Sequence, residues 1–226
     1  MIMSEQITRG RNLITIVNPN GPISEQFKTL RTGIHFSSVD TKYQSIMITS
    51  PEPNNGKSTI SANLAVCYAK QGNRTLLIDA DMRKPTVHRT FDIRVNVGLS
   101  NLLTGDMERS EVFRQTEIDN LVVLTSGTVP PNPNELLISK KMEKLMQQFS
   151  QEFDQIIIDT PPILASSDAL VLTPYVDGTV VVLRSEKSLK DRTKIAVDQL
   201  RKTNVPIIGT VLNCVKNRLD NYYDYS

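Results

Sequence analysis

Gly56-Lys57-Ser58-Thr59 places an ammonium and a hydroxyl directly after a glycine, the combination needed to hold phosphate. The loop Ser50-Pro51-Glu52-Pro53-Asn54-Asn55 leads into it from a β-branched run. An apolar helical pattern from Ile60 to Ala69 follows, with Gly72 where a C-cap belongs. In that setting backbone N–H groups curl around the phosphates and the helix N-terminus adds its positive end. Lys57 bridges the terminal phosphates, and the Ser58 hydroxyl ligates magnesium. The pattern G-x-x-x-x-G-K-[ST] is broken at its first glycine, where Pro51 stands. Asn54 and Asn55 compensate, because asparagine visits the left-handed conformation more readily than other non-glycine residues.

Two apolar runs end in acid. One is Leu76-Leu77-Ile78-Asp79-Ala80-Asp81-Met82-Arg83-Lys84-Pro85; the other is Ile156-Ile157-Ile158-Asp159-Thr160-Pro161-Pro162. Ligands of an open parallel sheet lie beyond the carboxyl ends of its strands, so all three aspartates can reach one phosphate site. Magnesium takes oxygen ligands and keeps several waters, which suits Ser58 with carboxylates. Phosphoryl transfer also requires a group that accepts the proton of the attacking hydroxyl. The expectation is Asp159 in the metal shell, Asp79 as metal ligand or base, and Asp81 in supporting geometry. Tyr222, Tyr223 and Tyr225, interleaved with Asp224 and Ser226, lack helical or strand spacing and read as a mobile acceptor tail over residues 217–226.

These groups must be positioned by a scaffold. Short β-branched runs at 45–49, 75–79, 121–125, 155–159, 179–183 and 207–212 alternate with helical patterns, as in a mostly parallel sheet covered on both faces. Met142, Leu145, Met146 and Phe149 make one buried helical stripe; Leu189, Ala196, Val197 and Leu200 make another. A further helix opens at Pro22 and runs to about residue 39, with Ile23, Phe27, Leu30 and Ile34 along one face. The fold expected is an α/β P-loop NTPase domain over residues 1–216.

Composition excludes several alternatives. Lys plus Arg number 26 against 24 for Asp plus Glu, which gives no general reason to bind nucleic acid. Cys67 and Cys214 stand far apart among apolar neighbours, as two buried, reduced thiols would, with neither a disulfide framework nor a thiolate metal site. No apolar run approaches a membrane span and residues 1–11 have no signal-peptide core, so a cytoplasmic protein is expected. No G-x-G-x-x-G follows the first run, which disfavours a dinucleotide oxidoreductase. His35 and His88 are unpaired in sequence and read as surface or packing residues.

Taken together, these residues resemble the bacterial tyrosine kinases, the P-loop family that controls capsule and exopolysaccharide synthesis. The phosphate loop through Thr59 matches the family's Walker A, Leu77 to Pro85 its unusual second Walker motif, and Ile157 to Pro162 its Walker B. The stretches Ser126-Gly127 to Asn134-Glu135-Leu136 and Gly209 to Asn213 match as well. The resemblance implies ATP and Mg2+ as cofactors, Asn213 near the adenine, and the tail tyrosines as phosphoacceptors. It also implies a ring-forming helix whose matching positions are Glu25, Lys28 and Arg31; Lys28 stands where the family has an arginine and makes no planar bidentate contact. The partners it implies are a homo-oligomeric ring, a membrane activator that regulates polysaccharide chain length, tyrosine-bearing protein substrates and an opposing phosphatase. The chain resembles the soluble kinase of two-chain systems, recruited to the inner face of the membrane. The nearest rival is a partitioning or division-site ATPase of the same fold, which usually carries an early lysine in the phosphate loop; Ser50 to Asn55 has none.

Overall fold

Strand residues that alternate between two buried faces need cover on both sides, and this sequence supplies it with four longer helices. The computed structural model describes residues 13–37, 42–93, 97–105 and 107–216. In chain order its main elements are α1 (Pro22–Phe36), β1 (Ser45–Thr49), α2 (Lys57–Ala69), β2 (Thr75–Asp79), β3 (Phe113–Gln115) and β4 (Leu121–Leu124). They continue with α3 (Lys140–Glu152), β5 (Gln155–Asp159), β6 (Gly178–Arg184), α4 (Lys190–Arg201) and β7 (Ile207–Asn213). The strands form one sheet in the order β3-β4-β2-β5-β1-β6-β7, parallel except for β3 against β4.

The period of two is visible in the core. Ile46, Ile48, Leu77, Ile157 and Val180 pack with α1 and α2 on one face. Met47, Leu76, Ile78, Ile156 and Val181 pack with the Met142–Phe149 stripe of α3 and with Ala196 and Leu200 of α4 on the other. Helix α2 is buried along its whole length from Ile60 to Ala69, because the sheet lies on one side and α1 crosses the other. Helix α3 begins at Ser139, whose hydroxyl accepts the Met142 amide at 3.2 Å.

Several expectations shift. Leu189, assigned to the second buried stripe, is exposed at the start of α4, and only Ala196 and Leu200 of that stripe are fully buried. The strand β3 has no sequence signal, being three residues with one apolar side chain toward the core. The first long helix closes at Phe36, short of residue 39. Cys214 is exposed rather than buried, because β7 is the last strand of the sheet; Cys67 is buried as its neighbours suggest.

Candidate nucleotide and phosphoryl-transfer site

Parallel register brings the acidic strand ends together. Asp79 and Asp159 are direct partners on neighbouring β2 and β5, and β1, which delivers the phosphate loop, lies on the other side of β5. Strand pairing thus places three separate stretches of chain at one edge of the sheet.

The loop between β1 and α2 is held open by its own backbone and by the two strands beyond it. Asn54 is left-handed at φ 64° and Gly56 at φ 87°, so the asparagine takes the conformation that the missing glycine would have supplied. Asn55 donates its side-chain amide to the Val182 carbonyl at 3.3 Å, and Arg184 donates to the Asn54 carbonyl at 3.0 Å. Asn213 donates to the Asn55 carbonyl at 3.0 Å. A β-carbon on Gly56 would collide with the Asn213 side-chain amide. Lys57, Ser58 and Thr59 form the first turn of α2, which therefore opens onto the loop.

Lys57 Nζ lies 3.1 Å from Asp81 Oδ2, with both side chains largely buried. Burial works to lower the Lys57 pKa, but the attraction of Asp159, Asp81 and Asp79 outweighs it and the ammonium ends above its ordinary value. Asp79 accepts the Asp81 amide on one oxygen, and the Thr86 and Val87 amides on the other at 3.2 and 3.1 Å. Burial and then the charge of Asp159 push its carboxyl well above the usual carboxylate range, against the opposing pull of those amides. Asp159 is also pushed upward by burial, with Lys57 and the Ser58 and Ser61 hydroxyls opposing. Its Oδ1 takes the Ser61 hydroxyl at 3.0 Å, while its Oδ2 is buried with no hydrogen-bond partner.

This donor set fits a magnesium–nucleotide. A buried carboxylate oxygen without a donor is costly unless something electropositive meets it. Lys57 faces Asp79, Asp81 and Asp159 together, three carboxylates against one ammonium, so a polyphosphate needs a further cation to settle there. Among the described residues no group of three or more His, Cys, Asp or Glu side chains could cage a metal. Mg2+ is commonly held by one or two protein oxygens together with phosphate and water.

The structure therefore brings together Asn54, Asn55, Gly56, Lys57, Ser58, Thr59, Asp79, Asp81, Asp159 and Asn213. Glu25, Lys28 and Arg31 lie apart on α1: Lys28 pairs with Glu25 at 2.6 Å, and Arg31 donates to the Cys67 carbonyl at 3.1 Å. Tyr222, Tyr223 and Tyr225 fall outside the described residues. Sequence reasoning missed Arg184, whose contact with the loop depends on a pairing of β6 with β1 that no local pattern announces. Nor does any local pattern announce the partner of Arg83, which meets Asp168 at 2.6 Å.

Comparisons with known proteins agree with this geometry. Residues 36–204 match the family model described as an AAA domain. Tyrosine-protein kinase YwqD of Bacillus subtilis (strain 168) is 43% identical over 215 residues, covering 95% of this chain and 91% of that protein. Putative tyrosine-protein kinase CapB of Staphylococcus aureus is 42% identical over 208 residues, covering 92% and 91%. The crystal structure of the chimerical protein CapA2B2 superposes with a TM-score of 0.89 at 42% identity, covering 92% of this chain and 91% of that one.

Proposed function

The chain belongs to the bacterial protein-tyrosine kinases, and from that premise we propose that it transfers the γ-phosphate of ATP to tyrosines of its own C-terminal tail and of other proteins. The observation that carries this reading is the Asp79–Asp159 register beside the Lys57–Asp81 contact, at the mouth of the phosphate loop.

The residues divide the work by position. The amides of the Asn54–Thr59 turn and the first turn of α2 receive the phosphates. Lys57, held cationic by its carboxylate neighbours, turns from Asp81 toward the terminal phosphates and stabilises charge that builds on them during transfer. Mg2+, when bound through Ser58 and Asp159, neutralises phosphate charge and orients the transferring group. Tyrosine, with a reference pKa of about 10, is a weak nucleophile until its proton is removed. Asp79 is proposed as the acceptor of that proton: it stands beside Asp159 in the strand register, whereas Asp81 is engaged by Lys57. Asn213, already seated against the loop, extends the site toward the adenine.

In this reading Tyr222, Tyr223 and Tyr225 are the acceptors, and the kinase regulates capsular or extracellular polysaccharide synthesis and export. Its partners are a second copy in a ring built through Glu25, Lys28 and Arg31, a membrane activator, and an opposing tyrosine phosphatase. No helix among the described residues is long and apolar enough to cross a membrane. Recruitment of a cytoplasmic chain by the activator supplies the membrane location, and activity is expected to rise when the activator is added.

One assay tests the core of this proposal. The protein is incubated with labelled ATP and Mg2+, and modified residues are mapped in wild type, Lys57→Met and a Tyr222/Tyr223/Tyr225→Phe variant. Phosphotyrosine in the wild-type tail, lost in both variants, supports the reading. ATP hydrolysis without any phosphotyrosine sinks it in favour of a switch ATPase, and Asp79→Ala against Asp81→Ala separates the two candidate bases.

A further inference from the structure

Three strand-end loops border the site on the side away from the nucleotide-loop brace, and one buried carboxylate joins them. Asp168 stands where the chain turns back after the Asp159 strand, and its side chain is 1% exposed. Arg83, two residues beyond Asp81, reaches it with two bonds, Nε to Oδ2 at 2.6 Å and Nη2 to Oδ1 at 3.2 Å. Asn134, in the short helix Pro133–Leu137 that follows β4, donates its amide to Asp168 Oδ1 at 3.3 Å and to Ser167 Oγ at 3.1 Å. We propose that Asp168 is a positioning residue for phosphoryl transfer: it clamps Arg83 and Asn134, and through them fixes the Asp79–Pro85 loop that carries the catalytic carboxylates.

The chemistry favours a clamp over a solvated pair. A planar guanidinium meeting both oxygens of a buried carboxylate fixes direction as well as distance, which a lysine ammonium cannot do. Arg83 is nearly half exposed, so its charge gains little from water-shielded burial of its own. The geometry that matters is at Asp168, where losing the arginine would leave a buried anion with only an amide donor. The Asp79–Pro85 loop has other anchors: the amides of Lys84, Thr86 and Val87 on Asp81 and Asp79 within its own stretch of chain, the Ala80 amide on the Asp159 carbonyl at 2.8 Å, and Lys57 on Asp81. Beyond Asp81, the Arg83–Asp168 pair ties the far half of this loop to the segment that follows the Asp159 strand. The nucleotide loop has its own, separate brace through Val182, Arg184 and Asn213. Loosening the clamp therefore moves the carboxylates relative to bound nucleotide without loosening the nucleotide.

The inference rests on the assignment of Asp79 and Asp81 to the reaction. The test measures phosphotyrosine formation by the full chain with ATP and Mg2+, and ADP affinity by calorimetry, for Asp168→Asn, Arg83→Lys and the double variant. Each single variant is expected to lower kcat on the order of tenfold, the scale of a small misplacement of reacting groups. KM for ATP and the Kd for ADP stay within about twofold, because uniform binding is untouched. The double variant falls no further than the worse single, since both remove one interaction. Unchanged kcat in both singles, a KM for ATP that rises in step with the loss, or losses that add in the double variant would each overturn the clamp. Should Asp168→Asn melt before assay temperature, Asn134→Ala probes the second arm with the ion pair intact and is expected to give a smaller kcat loss with the same unchanged KM; an unchanged kcat there counts against the proposal. Asp79→Asn is run beside them: full activity in that variant removes the underlying assignment, whereas an inactive Asp79→Asn beside a fully active Arg83→Lys removes the clamp alone.

Discussion

Gly56 meets two demands at a single α-carbon: a left-handed backbone and close approach of the Asn213 amide. A methyl group there suffers both, so Gly56→Ala is expected to destabilise the fold by about 1–2 kcal/mol from backbone strain alone. It is also expected to weaken ATP binding, both effects being measurable by thermal melting and calorimetry. Lys57 is the cation that offsets three carboxylates, and Lys57→Met removes it while leaving them buried. Phosphotyrosine formation should fall at least on the order of a hundredfold, the usual scale for deleting a charge-stabilising donor. The nucleotide-free variant should also melt lower, because the carboxylates lose their partner. A variant that kept wild-type turnover would remove Lys57 from the mechanism.

At the scale of elements, the site depends on β2 and β5 lying in register, and two features hold that register. Phe149 of α3 is fully buried against the sheet and meets Phe113 and Phe153 with ring centroids 5.6 and 6.5 Å away. Phe149→Ala is expected to cost about 3–5 kcal/mol, read from denaturant midpoints, through a cavity that the packed rings cannot fill. At the start of the same strands Arg74 donates to Asp154 through its backbone amide, Nε and Nη2. Those bonds hold the Asp154 carboxyl below its ordinary value. Its contribution to stability is therefore present above the unfolded-state pKa and fades as pH falls through the lower folded value. Melting profiles below about pH 4 should be shallower in Asp154→Asn than in wild type; superimposable acid limbs would show that the pair does not couple to folding. Much of this layer is legible in the sequence. The parallel strands, the Met142–Phe149 stripe, the phosphate loop and both acidic strand ends follow from period, turn residues and motif spacing. What escapes is non-local: Arg184 on the loop, Asp168 under Arg83, and the three-residue β3, each defined by a neighbour distant in sequence.

Across the whole molecule, the proposed ring and the proposed acceptor tail interact through charge. Each phosphate adds about −1.5 to −2 charge, beside the tail's own Asp220 and Asp224. Sizing chromatography is expected to show smaller assemblies after full autophosphorylation and no change in the Tyr222/Tyr223/Tyr225→Phe variant; identical elution of modified and unmodified protein would contradict the ring-release reading. The sheet order has a temporal consequence as well. The phosphate loop is made early, yet β1 pairs with strands that begin at Gln155 and Gly178, and its loop leans on Asn213. During synthesis the nascent chain thus exposes an unpaired β1 until most of its length has left the ribosome, as distant pairings close late. A fragment ending before Gly178 keeps every Walker residue but should bind no nucleotide, because the walls that shape the loop have not yet been translated.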